Sequence, residues 1–380
     1  MFMPDGCRLQ LTVLCMMVLA ACPLQGQYHV YWGDVHGHTQ VSDGKGSLDD
    51  FLTYARDVSR LDFVIVTDHD FGNAAPWRMP KEAWTLTQDK ADAYTVPGKF
   101  VAIAGYEWTS QAKYWSGYKG EDAEPLFKGP PKFYNHKNVY FPSRIEYIFS
   151  AKDPAYMNPD LLAAAVRKTG GLAHNNHPTG NPPERDQFDY GRACDSVIAN
   201  TEMLPDILYY AGKTYTLNSE LVVRDFLNKG GKTGFVSGTD THEGKPIART
   251  AVLARELTRE GIFEALRHRR NYAISRARIE LDFKINGHVM GEEISIEGKP
   301  RIHVDIRGTD KIVEAAIIRD GAVLHAFKSP VNRLHFDYVD QSFRKSSYYY
   351  LRITQADKDE YGNPSCAWSS PIWVRQKESK

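Results

Sequence analysis

The sequence predicts an α/β domain over residues 27–277, with a largely parallel sheet either open or closed into a barrel. A small all-β, sandwich-like domain follows over residues 278–380. Three observations carry this expectation. Short apolar runs alternate with amphipathic helical segments as far as about Ala277. From about Ile279 the texture changes to β-rich runs separated by turn residues, with no helix between them. And the apolar runs of the first part end abruptly in His, Asp or Glu, at the strand ends where α/β folds gather functional groups.

Residues 31–43, YWGDVHGHTQVSD, open the first domain. In an extended segment alternate side chains point the same way, so His36 and His38 can offer both imidazoles to one ion. Asp43 follows in a turn-prone SDG. Ser47 then opens SLDDFLTYARDVSR, whose Leu48, Phe51, Leu52, Ala55 and Val58 have helical spacing, with Ser47 and Asp50 as a capping box. DFVIV is a buried strand ending in Thr67-Asp68-His69-Asp70, and KFVAIAG is a strand delivering Glu107. Residues 109–132 lack periodicity and predict a long surface loop. His136 opens HKNVYF. Asn158-Pro159 caps the helix DLLAAAVRK, which Gly170-Gly171 closes, and GLA leads to His174-Asn175-Asn176-His177-Pro178. DSVIAN is a strand and SELVVRDFLNK a helix stopped by Gly230-Gly231. GFVSG ends in Thr239-Asp240-Thr241-His242, and a last helix spans about 259–270.

In the tail, IELDFKI, RIHVDI, VEAAII, AVLHAF, RLHFDYV, SYYYLRI and SPIWV predict an antiparallel sandwich.

Composition narrows the function. With 380 residues, 42% hydrophobic, the chain can build a large core. Lys and Arg total 47, as do Asp and Glu, so no global field recruits nucleic acid or an anionic membrane, and any selection for phosphate must be local. Residues 1–26 read as a secretory signal, because Arg8 precedes LTVLCMMVLAAC, an apolar stretch too short to span a bilayer. Leu19-Ala20-Ala21-Cys22 resembles a bacterial lipobox with Cys22 as the acylated residue; the alternative is ordinary cleavage nearby. The expectation is an exported protein, a periplasmic or cell-envelope lipoprotein of a bacterium, touching membrane only through that anchor. Cys7 and Cys15 leave with the signal, and Cys194 and Cys366 lie too far apart in sequence to make a disulfide scaffold.

The candidate ligands are His36, His38, Asp43, His69, Glu107, His136, His177, Asp240 and His242. Six imidazoles and three carboxylates exceed one ion and suit two or three, with a bridging carboxylate. Imidazole and carboxylate without thiolate suit Zn, Mn or Fe and disfavour Mg and Ca. Such a cluster serves hydrolysis: it lowers the pKa of a water and offsets charge on several substrate oxygens at once.

GDVHGHT…SDG, VTDHD, GYEWT, HKNVYF, HNNHP and GTDTH resemble the successive motifs of the PHP (polymerase and histidinol phosphatase) superfamily. YWGDVHGHT near the start and ALRHRRNYAISRARIEL…GHVMGEE near the end resemble its exported DUF3604 branch. The resemblance implies a distorted (β/α)7 barrel with up to three metal ions. It implies that His36, His38, Glu107 and Asp240 bind the first ion, that Glu107 bridges to a second held by His136 and His177, and that Asp43, His69 and His242 hold a third. AISRARI departs from the branch pattern ATTGARI, which bears on loop conformation and substrate contacts rather than on the ligands.

The expected activity is therefore hydrolysis of a small phosphate mono- or diester by a metal-activated hydroxide. Rival readings are a metal-dependent amide, lactone or ester hydrolase, and a non-catalytic envelope or glycan-binding module. Asp68 is expected to orient a ligand histidine, and Asp34 to do the same or to cap a turn. Asp68 and His174 are candidate leaving-group acids, beside Glu107 as the catalytic metal bridge; His174 is alternatively core. Arg144, Arg185, Lys245 and Arg249 are candidate phosphate contacts. Trp108, Tyr114 and Trp115 either wall a pocket beside Glu107 or pack under the long loop. His29, His268, His288, His303, His325 and His335 lack the ligand pattern and read as surface or interface residues. Oligomeric state is not legible.

Overall fold

The computed structural model describes residues 27–71, 79–110, 134–178, 197–205, 207–210, 213–216 and 219–377. The expected signal with Cys22, and Tyr114, Trp115, Arg185 and Cys194, lie outside them. The expected alternation of strand and helix is present. β1 (His29–Asp34) leads to α1 (Leu48–Thr53), whose N-cap Ser47 makes the expected capping box with Asp50. The helix then widens into a π-turn at Tyr54–Val58. β2 (Phe63–Val66), α2 (Lys81–Tyr94), β3 (Val101–Ser110) and β4 (Asn135–Tyr140) follow. Next come α3 (Pro159–Lys168), capped by the Asn158 side chain, then β5 (Leu172–Asn175) and β6 (Ile198–Glu202). A hairpin of β7 (Ile207–Tyr210) and β8 (Lys213–Thr216) precedes α4 (Ser219–Asn228). β9 (Gly234–Val236), β10 (Thr250–Ala254), α5 (Arg259–Arg267) and β11 (Asn271–Ile274) complete the first part.

The sheet runs β11-β10-β1-β2-β3-β4-β5-β6-β9. It is mixed, unlike the largely parallel expectation, because β4, β10 and β11 pair antiparallel with their neighbours. β1, β2, β3, β5, β6 and β9 nonetheless share one direction, so their carboxyl ends meet at one edge. β4 runs the other way and brings its amino end, with His136, to that same edge opposite Thr109. The ladder is not closed: β9 and β1 do not pair as strands. Only the segments beyond their carboxyl ends meet, in an isolated parallel bridge between Gly37 and Thr241.

The tail is β-only, as expected, and joined more tightly than a sequence of short runs suggests. β12 (Glu280–Ile285), β13 (His288–Val289) and β14 (Glu293–Ile296) precede β15, where RIHVDI and VEAAII form one long strand, Arg301–Arg319. A register shift between Arg307 and Ile312 lets β15 change partners along its length. β16 (Ala322–Phe327), β17 (Val331–Val339), β18 (Ser347–Lys358), β19 (Pro364–Ser369) and β20 (Ile372–Gln376) follow. Pairing is antiparallel except between β14 and β20. β19 pairs with β11, and one apolar cluster runs from Phe51 and Leu52 to Phe283, Val304 and Ile353. The divergent AISRARI stretch fastens the two parts, with Arg278 donating to the carbonyls of Ser59 and Arg60 and Arg276 pairing with Asp357 at 2.7 Å.

Where β9 meets β11 no ladder forms, and a buried side-chain clasp takes its place. Asn271 Nδ2 donates to the Phe235 carbonyl at 2.8 Å and to Asn200 Oδ1 at 3.0 Å, while Ser370 Oγ donates to the Asn271 carbonyl and accepts from Phe235 N–H. Asn271→Ala strands the Phe235 carbonyl and Asn200 without water. The expected cost is about 2–4 kcal/mol by denaturant titration; a loss within about 0.5 kcal/mol, the range of ordinary surface changes, would remove the clasp from the account.

Candidate metal centre

Four buried carboxylates shape the backbone at the carboxyl edge. Asp34, at the end of β1, accepts from His36 N–H and from the backbone and hydroxyl of Thr239, which fixes the turn carrying Asp240 and His242. That turn then hydrogen-bonds to the segment after β1, Asp240 N–H to the His36 carbonyl at 3.0 Å and His38 N–H to the Thr241 carbonyl at 2.9 Å. Asp68, just after β2, accepts from the backbone and hydroxyl of both Thr39 and Ser42. It therefore orients the loop that delivers Asp43, not a ligand histidine as expected. Asp70 accepts from Ser150 Oγ and Ala151 N–H, and its burial pushes the carboxyl up to about 6. Glu202, the last residue of β6, accepts from His177 N–H at 2.6 Å and contacts His36 Nδ1 at 3.0 Å.

Held this way, all nine expected ligands converge. They form four overlapping groups whose donor atoms lie within 4.8 Å of one another: His38, Asp43, His69 and His242; His36, His38 and Glu107; His36, His177 and Asp240; His69, Glu107 and His136. Glu107 is the hub. His136 Nδ1 stands 2.6 Å and His69 Nδ1 2.8 Å from its oxygens. His38 Nε2 lies at 3.4 Å and His36 and His177 Nε2 each at 3.5 Å. Asp240 Oδ1 lies 3.1 Å from His38 Nε2 and 3.3 Å from His36 Nε2, and Asp43 Oδ1 lies 3.3 Å from His242 Nε2.

The protonation pattern follows from these contacts. Burial alone would raise Glu107, but the imidazoles around it, His136 foremost, hold it well below the usual carboxylate range. Burial pushes His136 down to about 3, which leaves the ring neutral, the form that ligates. Against burial, the Asp43 contact and the charge of Asp240 push His242 up to about 9. A carboxylate only accepts, so the short contact to Glu202 places a proton on His36 Nδ1 and turns Nε2 toward the cluster, while, against burial, the charges of Asp240, Glu202 and Glu107 push this ring well above the usual imidazole range.

These donors fit divalent ions. The Nε2 atoms of His36 and His38 face each other at 3.3 Å, and buried His38 Nδ1 makes no hydrogen bond of its own. Two of the candidate ligands, His177 and Asp240, sit at positive φ of 27° and 51°, a left-handed conformation that costs a non-glycine residue strain.

The other expected site residues fare differently. His174 is buried one layer beneath, with Asn138 Nδ2 at 3.2 Å and Glu202 Oε1 at 3.5 Å from its Nε2; it is outside the ligand groups and not placed to meet a leaving group. Asp68, filled by four donors, is not so placed either. Arg144 is not a substrate clamp: it pairs with Asp89 and Asp92 of α2. Arg249 is half-buried, with Asp34, Asp359 and Glu202 as the carboxylates acting on it. Lys245 is exposed in the loop that carries Asp240 and His242. Trp108 is fully buried, donating to the Tyr156 carbonyl, so it packs in the core and walls no pocket. Sequence reasoning missed Glu202 and Asn176. Glu202 ends β6 two polar residues, Asn200 and Thr201, after the apolar run, a looser form of the pattern that found the others. Asn176 Nδ2 donates to Glu107 Oε1 at 2.7 Å and had no pattern of its own beyond its place in HNNHP.

Known proteins resemble this chain in part. The model of a family described as a protein of unknown function (DUF3604) matches residues 55–117, the segment that holds His69 and Glu107. Over that segment the chain is similar to the DUF3604 family. An uncharacterized protein of Chlamydia trachomatis serovar D is 27% identical over 387 aligned positions, which cover 93% of this chain and 58% of the relative. One from Chlamydia pneumoniae is 25% identical over 379 positions, covering 91% of this chain and 57% of the relative. The chain thus spans less than two thirds of the length of these relatives. Among solved structures, a two-domain protein containing a predicted PHP-like metal-dependent phosphoesterase from Bacteroides vulgatus aligns with a TM-score of 0.48 at 16% identity. That alignment covers 86% of this chain and 91% of the neighbour.

Two substitutions probe the support around His36. Glu202→Gln keeps shape but frees the imidazole orientation, and should weaken metal affinity about 10–100-fold in a chelator competition. Gly238→Ala would place a Cβ 2.2 Å from His36 Cβ and 2.6 Å from Glu202 Oε1, so it should weaken binding at least as much. Unchanged affinity in both would mean that His36 is not a ligand.

Proposed function

We propose that this DUF3604-like chain is a metal-dependent phosphoesterase that hydrolyses a phosphate mono- or diester at a centre of two or three divalent ions, Zn, Mn or Fe. One observation carries the reading: five imidazoles stand within 3.5 Å of a single buried carboxylate, Glu107, and the surrounding donor groups overlap. Overlap is what adjacent ions need, because shared residues let one side chain serve two positions. The donors are imidazole and carboxylate, which suits these metals over Mg or Ca. On this reading the Gly37–Thr241 bridge makes the open sheet a distorted seven-stranded barrel, pinched shut at its functional edge.

Bound there, the ions would supply an acidified water and positive charge for the substrate's oxygens. The chain's own side chains set the direction of approach. His36, His38 and Glu107 form a floor no more than 1% exposed, whereas Asp43, Asp240 and His242 at the mouth are 38%, 41% and 26% exposed. Substrate therefore enters from the side of the 239–245 loop, where exposed Lys245 can meet an anionic group. Nothing in the centre requires a base of its own, since the imidazoles and carboxylates are committed to holding one another.

The test is direct. Purified chain should carry two or three equivalents of divalent metal by elemental analysis and release phosphate from a panel of phosphomonoesters and phosphodiesters. Chelation should abolish the activity and metal restore it, and Glu107→Gln should reduce turnover by about 100-fold or more. A metal-free protein, or a metal-loaded one that cleaves amides or carboxylic esters while ignoring every phosphorus substrate, would refute the phosphoesterase reading.

A further inference from the structure

A second group of metal-ligating side chains lies on the tail, sharing no residue with the centre above. β15 and β17 pair antiparallel, setting His303 opposite Asp337 and Asp305 opposite His335. Residues two apart on a strand share a face. Ile302, Val304 and Ile306 face the core, so His303 and Asp305 face outward, with their two partners on β17 beside them. Cross-strand neighbours stand about 4.5–5.5 Å apart at Cβ and diagonal ones about 7–8 Å, within reach of imidazole rings. The side chains do close on one another: the His303 and His335 ring centroids are 5.1 Å apart, and His303 Nδ1 lies 2.9 Å from Asp337 Oδ1. One donor atom from each of His303, His335 and Asp337 falls within 4.8 Å of the others.

We propose that His303, His335 and Asp337 form a separate surface site for one borderline divalent ion, Zn2+ or its like, with water completing the shell. Two imidazoles and one carboxylate are the ligand set such ions prefer, three protein ligands leaving a fourth position open. The frame is preorganised, because both strands are pinned by the ladder and by buried Val304, Ile306 and Leu334. The flanking cations do not oppose the ion. Arg333 is held by Asp305 at 2.9 Å and Lys284, opposite His303 on β12, by Asp282 at 2.6 Å. Binding exchanges the His303–Asp337 hydrogen bond for two bonds to the metal, and Asp305 stands beside His335 as a further acceptor.

Zinc titration of the full chain, read by competition with a colorimetric chelator, tests this separately from catalysis. Wild type should bind one more equivalent of Zn2+ than His303→Ala/His335→Ala, with phosphoesterase activity the same in both. Asp337→Asn should weaken that equivalent at least tenfold, and His325→Ala, on the neighbouring β16, should not change it. Thermal midpoints in chelator should match across the set, and added Zn2+ should raise the wild-type midpoint above that of the double variant. Equal stoichiometry in wild type and double variant, or the same loss from His325→Ala, would overturn the site.

Discussion

A carboxylate buried to 1% exposure under five imidazoles is the constraint that the rest of this structure serves. An ionised side chain taken from water costs several kcal/mol unless partners surround it. Glu107 is so surrounded, and its position fixes where those partners must come from. His69 reaches it through a bridge just beyond β2, with Glu107 N–H on the Asp68 carbonyl and Asp70 N–H on the Glu107 carbonyl. His136 reaches it from the antiparallel β4, and His36 and His38 from the stretch after β1. No single element could supply five rings at this density, because neighbours on one strand alternate faces and neighbours on one helix diverge. The mixed sheet is the solution: strand ends from several directions meet at one edge.

Further buried carboxylates make that meeting durable. Asp34 ties the segment after β1 to the segment after β9, Asp68 ties the 39–42 loop to β2, and Glu202 ties β6 to both His36 and His177. Each joins backbone from distant parts of the sequence, and each is satisfied by short contacts. Carboxylates at strand ends thus divide into two kinds, those that face the cluster and those that brace its loops. Sequence position alone does not separate them. Asp240 and Asp34 both lie beside the His36–His38 segment, yet one offers an oxygen to the imidazoles while the other is consumed by Thr239.

That division explains what was legible in the sequence. All nine candidate ligands come together, because an apolar run ending in a His or acid is a local signal and the strand ends share an edge. Helix caps at Ser47 and Asn158 were equally readable, being written in adjacent residues. Glu202 obeyed a looser form of that rule and escaped because the strand was read as ending at Asn200. Arg144 was misplaced, and Trp108 left between two readings, for a different reason. A side chain's partners lie elsewhere in the chain, in Asp89 and Asp92 for the one and the Tyr156 carbonyl for the other, and no local pattern announces them. The tail shows the same limit: short β-rich runs were visible, but not that two of them join across a register shift into β15.

Why the sheet stays open between β9 and β1 follows from the same constraint. Full pairing there would carry the ladder through Asp240 and His36 and force their side chains to alternate across the sheet. Instead β9 stops at Val236, and the chain turns through Thr239 before touching β1's continuation at Gly37 and Thr241. The turn costs strain at Asp240, whose φ is positive, and His177 at the end of β5 shows the same sign. Both residues sit in the group shared with His36. Strain at two candidate-ligand positions and a missing strand pair are therefore one compromise: regular pairing is given up at this edge so that side chains from the ends of β1, β5 and β9 can point at the same place. β11, Asn271 and the β19 ladder then close the wall from outside, where nothing has to converge.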